Sequence, residues 1–278
     1  VYAFSNSQRH LIALILRKRL GSSTYAVSST LERIADRLSA EVEGGIRRDG
    51  RGGVFLADFS EDELTDEEIE SLDAEVPAET EFGPGANVKL DSTTVMAMRA
   101  EVDELRGFAE LARSITVNQK AVKLNEALDK GFERLKEIGA PQKAIIFTDS
   151  TKTQEYIART LTEAGRGDGL VLFNGSNNSP AAREIYQDWL EANKDGDVIS
   201  GVADADRRKA LVDYFRDQGT IMIATEAAAE GINLQFCSML VNYDLPWNPQ
   251  RVEQRIGRVH RFGQKFDVVV ANFSNKGN

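Results

Sequence analysis

Arg258 and Arg261 stand three residues apart, with Gln254 four residues before the first of them. Each guanidinium is a planar fork of donors that stays charged, and two forks about one helical turn apart suit a polyphosphate. The neighbourhood is basic: residues 251–265 carry Arg251, Arg255, Arg258, Arg261 and Lys265 against Glu253 alone. A helix through this stretch, at about 100° per residue, places Val252, Ile256 and Val259 on one face. Gln254, Arg258 and Arg261 then share the opposite face. Such a helix docks by its apolar side and presents both arginines outward. For an arginine-rich helix taken alone, a plain basic surface is the competing reading.

These side chains need a scaffold, and the pattern after residue 116 supplies one. Ala121, Leu124, Leu128, Phe132, Leu135 and Ile138 form one apolar stripe, ended by Gly139 and Pro141. The run 144–147 is short and wholly apolar, as a buried parallel strand would be. Strands are likewise expected at 170–173, 221–224, 239–243 and 268–273. Helices are expected at about 151–164, 180–193, 206–217 and 249–260. Strands separated by helices of this length predict an α/β fold, a parallel sheet with helices on both faces. Before residue 116 the sequence reads as helix and loop, with helical spacing at Leu31, Ile34 and Leu38 and again over 93–113. Two domains follow from this: 1–115, a helical segment with an insertion, and 116–278.

Net charge is −10, opposite in sign to what an anionic partner favours. Residues 58–81, however, hold twelve acidic side chains and no basic one, and the rest of the chain carries +2. Local field rather than net charge decides what binds where. The acidic stretch is expected to be a solvated insertion, one that masks a basic cleft or docks a protein partner. No apolar run reaches the roughly 18 residues of a membrane span, so no membrane partner is expected. Cys237 is the single cysteine, beside His10 and His260, which excludes an internal disulfide and argues against a structural zinc; no metal ligands are assigned. The segment Asp66-Glu67-Glu68-Ile69 is rejected as a magnesium motif, because no apolar strand precedes it. The first residue, Val1, leads to the expectation of a fragment of a longer protein.

The spacing Gln254-x-x-Gly257-Arg258-x-x-Arg261 resembles the last motif of superfamily-two helicases, and its extension Phe262-Gly263-Gln264 resembles the Swi/Snf-type ATPases. Tyr243-Asp244-Leu245-Pro246-Trp247-Asn248-Pro249-Gln250 is similar to a second stretch of that family. The run from Ala224-Thr225-Glu226 to Gly231-Ile232-Asn233-Leu234 is similar to a third. All three fall in order within 41 residues. Residues 8–38 resemble, more loosely, the segment joining the motor lobes in the bacterial, polymerase-recycling branch.

The resemblance implies a RecA-like fold for the second domain and the second motor lobe of an ATP-dependent DNA helicase or translocase. It implies that Arg258 and Arg261 are arginine fingers, and that Gly231, Asn233 and Gln254 lie at the nucleotide. It places Thr225, Thr148, Ser150, Asn174 and Gly175 at nucleic-acid phosphates, in the strand-end loops where ligands of open α/β sheets bind. Thr225 also reads as a helix cap, Asn174-Gly175 as an ordinary turn, and Trp247 as packing. The implied cofactors are ATP and Mg²⁺, held mainly by an N-terminal RecA-like lobe, since no G-x-x-x-x-G-K-[ST] loop occurs here. The chain by itself is therefore expected to hydrolyse ATP negligibly. Double-stranded DNA is the expected partner and the cytoplasm, at the nucleoid, the expected location. An RNA-directed lobe and a non-enzymatic nucleic-acid-binding scaffold are the alternatives.

Overall fold

The computed structural model describes residues 16–17, 19–49, 86–115, 119–226, 228–229, 231–246 and 248–274. The acidic stretch 58–81, the segment 66–69, and Ala227, Glu230 and Trp247 lie outside them, as does most of the apolar run 11–16. The chain separates into two compact units, Val1–Asn118 and Gln119–Asn278.

In the first unit, helix α1 (Thr24–Gly44) begins at Ser23, whose hydroxyl accepts the Ala26 N–H. It ends at Gly45, whose φ of 64° lets the chain turn left-handed and cap the helix. A four-residue strand β1 (Ile46–Asp49) then pairs antiparallel with β2 (Ala86–Lys89). Helix α2 (Ser92–Ser114) starts at Asp91, whose carboxylate accepts the Thr94 N–H at 2.7 Å. Its buried Met98 and Val102 meet Ile34, Ala35, Leu38 and Val42 of α1. Arg106 pairs with Asp36 at 3.1 Å, and Arg113 pairs with Glu32. The later residue of α2 meets the earlier one of α1, so the two helices run antiparallel. The helices agree with the sequence pattern. The β-ribbon was not foreseen, because its strands are only four residues long and the first, Ile46-Arg47-Arg48-Asp49, has no apolar alternation.

The second unit is a five-stranded sheet in the order β4-β5-β3-β6-β7, every pairing parallel. The strands are β3 (Ala144–Thr148), β4 (Leu170–Phe173), β5 (Ile221–Thr225), β6 (Met239–Asn242) and β7 (Val269–Asn272). The helices are α3 (Gln119–Glu137), α4 (Thr151–Glu163), α5 (Pro180–Asn193), α6 (Ala203–Asp217) and α7 (Pro249–Val259). Successive strand residues point to opposite faces, so each central strand feeds two cores. Ile146, Ile223 and Val241 meet α3 and α4 through Leu124, Leu128, Ile157 and Leu161. Ile145, Phe147, Met222, Ala224 and Leu240 meet α5, α6 and α7 through Ala182, Leu211, Phe215 and Val259. This is the expected RecA-like α/β arrangement, with helices on both faces. Gly131 of α3 lies so near β6 that a Cβ there would stand 2.3 Å from the Met239 sulfur. Among the described residues no helix is long and apolar enough to cross a membrane.

Leu128 is fully buried between α3 and the sheet. We expect Leu128→Ala to lower unfolding free energy by about 2–5 kcal/mol, the usual range for such a cavity, as read by denaturant titration of the chain.

Candidate functional site

The carboxyl ends of β3, β5 and β6 lie side by side, since these strands are neighbours in register. Asp244, just past β6, organises them. One of its carboxylate oxygens accepts the Thr148 hydroxyl at 2.7 Å and the Asp149 N–H at 3.1 Å. The other accepts the Lys120 ammonium at 2.9 Å, and that ammonium also sits 4.2 Å from the centre of the Tyr243 ring. Asp244 was quoted within a motif but not assigned a site role. Nothing in its spacing revealed that Thr148 and Lys120 converge on it.

Thr148 and Ser150, expected at a phosphate, both have hydroxyl partners inside the protein. The Thr148 hydroxyl is fully buried and donates to Asp244. Ser150 is buried as the cap of α4: its oxygen accepts the Thr153 N–H at 3.1 Å while its proton goes to the Thr153 hydroxyl. A hydroxyl cut off from water must find such partners, and both have found them inside the protein. Thr225 is buried too. It caps no described helix; a turn follows, closed by the Ala229 N–H on its carbonyl.

At the end of β4, Asn174 and Asn177 bond each other reciprocally, each side-chain oxygen accepting the other's N–H at 2.8–2.9 Å. The Asn174 amide also donates to Gln154, which in turn holds the carbonyls of Phe173 and Ile223. Asn174 is thus committed to building its turn, and Gly175 and Ser176 form the exposed tip.

Helix α7 opens with Asn248 as its cap and Pro249 in its first turn. Its buried residues are Val259, as expected, and Arg255, which is 2 % exposed, whereas Val252 and Ile256, expected on the same docking face, are only half-buried. The opposite face differs from expectation as well. The helix ends at Val259, so Arg261 is not on it. Arg261 begins a tight turn, closed by the Gln264 N–H on its carbonyl at 3.0 Å, with Gly263 at a φ of 97°. Gln264 fastens that turn by donating to the Val259 carbonyl at 2.9 Å. Gln254 and Arg261 are exposed and Arg258 is half-buried. Among the described residues none of the three makes a side-chain hydrogen bond or ion pair.

The loop 231–236 is bonded to this turn. The Leu234 N–H donates to the Arg258 carbonyl at 3.1 Å, and the Gln235 amide to the Phe262 carbonyl at 3.1 Å. Asn233 is exposed and accepts the Gln235 N–H. Gly231 has a φ of 79° and is open, with no atom within 4 Å of where a Cβ would stand. The Leu234 and Gln235 bonds hold the loop that carries Gly231 and Asn233 to the chain at Arg258 and Phe262, next to Arg261; among the described residues the Arg258 and Arg261 side chains have no hydrogen-bond or ion-pair partner. Thr148, Ser150 and Thr225 belong to the buried strand ends. Guanidiniums without a protein partner among the described residues can donate to an anion. Among the described residues no group of three or more His, Cys, Asp or Glu is arranged to hold a metal ion.

The family described as helicase conserved C-terminal domain matches residues 123–263, about half of the chain. The chain belongs to this family. All ten residues assigned from the sequence lie within the matched span. The chain is 34% identical over 187 residues to the uncharacterized ATP-dependent helicase YqhH of Bacillus subtilis (strain 168), an alignment covering 67% of this chain and 27% of that protein. It is 43% identical over 72 residues to the RNA polymerase-associated protein RapA of Vibrio cholerae, covering 25% of this chain and 7% of that protein. The Hef helicase domain of Pyrococcus furiosus is similar with a TM-score of 0.44 and 16% identity, over 98% of this chain and 38% of that one. The chain thus spans about a quarter of the length of YqhH and less of RapA.

Cys237 is fully buried. Burial pushes its thiol up to about 12, so it stays protonated at neutral pH, and a thiol is not the nucleophile that a thiolate is. We expect no alkylation by iodoacetamide in the folded chain at pH 8 and full labelling once it is unfolded, counted by mass spectrometry.

Proposed function

We propose that this lobe is the second motor lobe of an ATP-dependent DNA helicase or translocase of Swi/Snf type, and that Arg258 and Arg261 are its arginine fingers. The observation that carries the reading is their lack of side-chain partners among the described residues, together with the open backbone of Gly231. A guanidinium left unpaired at the rim of a folded lobe is ready to donate to an anion brought to it. A scaffold has no use for two of them.

The chemistry asked of them is electrostatic. As the γ-phosphoryl group of ATP passes to water, charge spreads over its oxygens, and a guanidinium fork stabilises that charge. Such a finger is typically worth about 10³–10⁵ in rate. Asn233 and the backbone at Gly231 are assigned to the nucleotide beside the fingers, and Gln254, one turn before Arg258, to the lobe interface. The Walker-type loop and the Mg²⁺ ligands are assigned to an N-terminal RecA-like lobe. When bound, Mg²⁺ neutralises charge on the phosphates; orientation and finger donation fall to this lobe. Nucleic acid is assigned to the exposed tip Gly175-Ser176, whose backbone donors suit phosphate. Thr225 keeps its proposed phosphate contact only if the turn after it opens. ATP then draws the two lobes together and hydrolysis releases them, so that alternate grip on phosphates becomes movement along a strand. Contacts of this kind read phosphate rather than sequence and weaken with salt.

Two outcomes are expected. The 278-residue chain alone hydrolyses ATP no faster than buffer, with or without DNA; turnover that Arg258→Ala abolishes would overturn the division between lobes. In the full-length protein, Arg261→Ala lowers kcat by about 10³-fold or more while DNA affinity stays within about threefold. Running the assay with duplex DNA and with RNA identifies the stimulating nucleic acid.

A further inference from the structure

The side chain on α7 with the most partners is Arg255, which the motif reading passed over. Its Nε donates to Glu226 at 2.6 Å, and its Nη2 also reaches Glu226. Its Nη1 donates to the Asn242 side-chain oxygen at 2.9 Å and to the Asp244 carbonyl at 2.7 Å. Asp149 stands 3.6 Å from Nη2, and the Phe147 ring lies beneath the guanidinium at 5.0 Å. One side chain therefore joins the end of β3, the end of β5 and the end of β6 to α7. Asn242 carries the network on to β7, donating to Asn272 at 2.7 Å.

Burying an arginine has a large desolvation cost, and a well-packed apolar residue often gives equal or better stability. What the fork adds is direction. Several donors in one plane, each on a different strand end, allow one rotation of α7 about its axis and one depth of seating. Arg258 lies one turn further along the same helix, and its carbonyl anchors Leu234 in the nucleotide loop.

We propose that Arg255 is a positioning residue, which fixes α7 on the three strand ends and thereby sets where Arg258 points. The proposal rests on the finger reading of Arg258. It also links the strand-end loops to the fingers, because a shift of Glu226 or Asp244 turns α7.

The test uses the full-length protein, with kcat and KM for ATP, DNA affinity and thermal melting measured for each variant. Arg255→Lys keeps the charge and loses the fork. It is expected to lower kcat by about tenfold or more, as misplacement of a catalytic group by about 1 Å does, with KM and DNA affinity within about threefold. Glu226→Gln keeps one acceptor and is expected to fall between Arg255→Lys and the parent, which provides a second route should Arg255→Lys melt early. The deciding variant is Arg255→Lys combined with Arg258→Ala, read by single-turnover hydrolysis. If Arg255 acts through Arg258, the double variant is no slower than Arg258→Ala alone. Full and independent losses overturn positioning in favour of general stability, as does a normal kcat in Arg255→Lys and Glu226→Gln beside an inactive Arg258→Ala. A normal kcat in Arg258→Ala overturns the finger reading itself and the proposal with it.

Discussion

A single buried guanidinium holds the functional end of this lobe together. The sheet brings three strand ends into register, but backbone pairing stops at Thr148, Thr225 and Asn242. Beyond those residues the chain has loops with polar groups to satisfy. Arg255 takes up Glu226, Asn242 and the Asp244 carbonyl, and Asp244 takes up Thr148 and Lys120. In a dry setting each such bond is strong, and each missing partner is costly, so the network is fixed as a unit. The stretch that carries Arg258 and Arg261 is built on that foundation, with the loop of Gly231 and Asn233 bonded to it.

The arginines of this region divide by burial. Arg255 has all its directions occupied, whereas Arg258 and Arg261 have no internal partner among the described residues. The contrast separates a guanidinium that shapes a site from guanidiniums that the site presents. Arg261 gains further freedom by standing beyond the helix, in a turn whose Gly263 adopts a left-handed φ and whose carbonyl at Phe262 is held by Gln235. A short, pinned turn keeps the backbone in place while leaving the side chain exposed.

The sheet and its helices were legible because their signals are local. A continuous apolar run such as 144–147 has few alternatives to a buried strand, and Leu124, Leu128 and Leu135 have one common face only on a helix. The ribbon of β1 and β2 was not legible, since its strands have four residues each, too few for a period to stand out, and one of them bears two arginines and an aspartate. The internal partner of the Thr148 hydroxyl was not legible for a different reason. A threonine at the end of a strand looks the same in sequence whether it faces a ligand or a carboxylate 96 residues away.

The amino-acid sequence by itself determined the class of fold, the order of the strands and helices along the chain, and the segments that carry the helicase family's motifs. Those follow from periodicity and from residue types at fixed short spacing. Only the tertiary structure decided which arginine is buried, that Arg261 lies past the helix end, and that Asp244 receives the Thr148 hydroxyl. Each of these depends on groups distant in sequence and adjacent in space. Burial then settles the outcome, because a polar group removed from water must be paired and one left at the rim need not be.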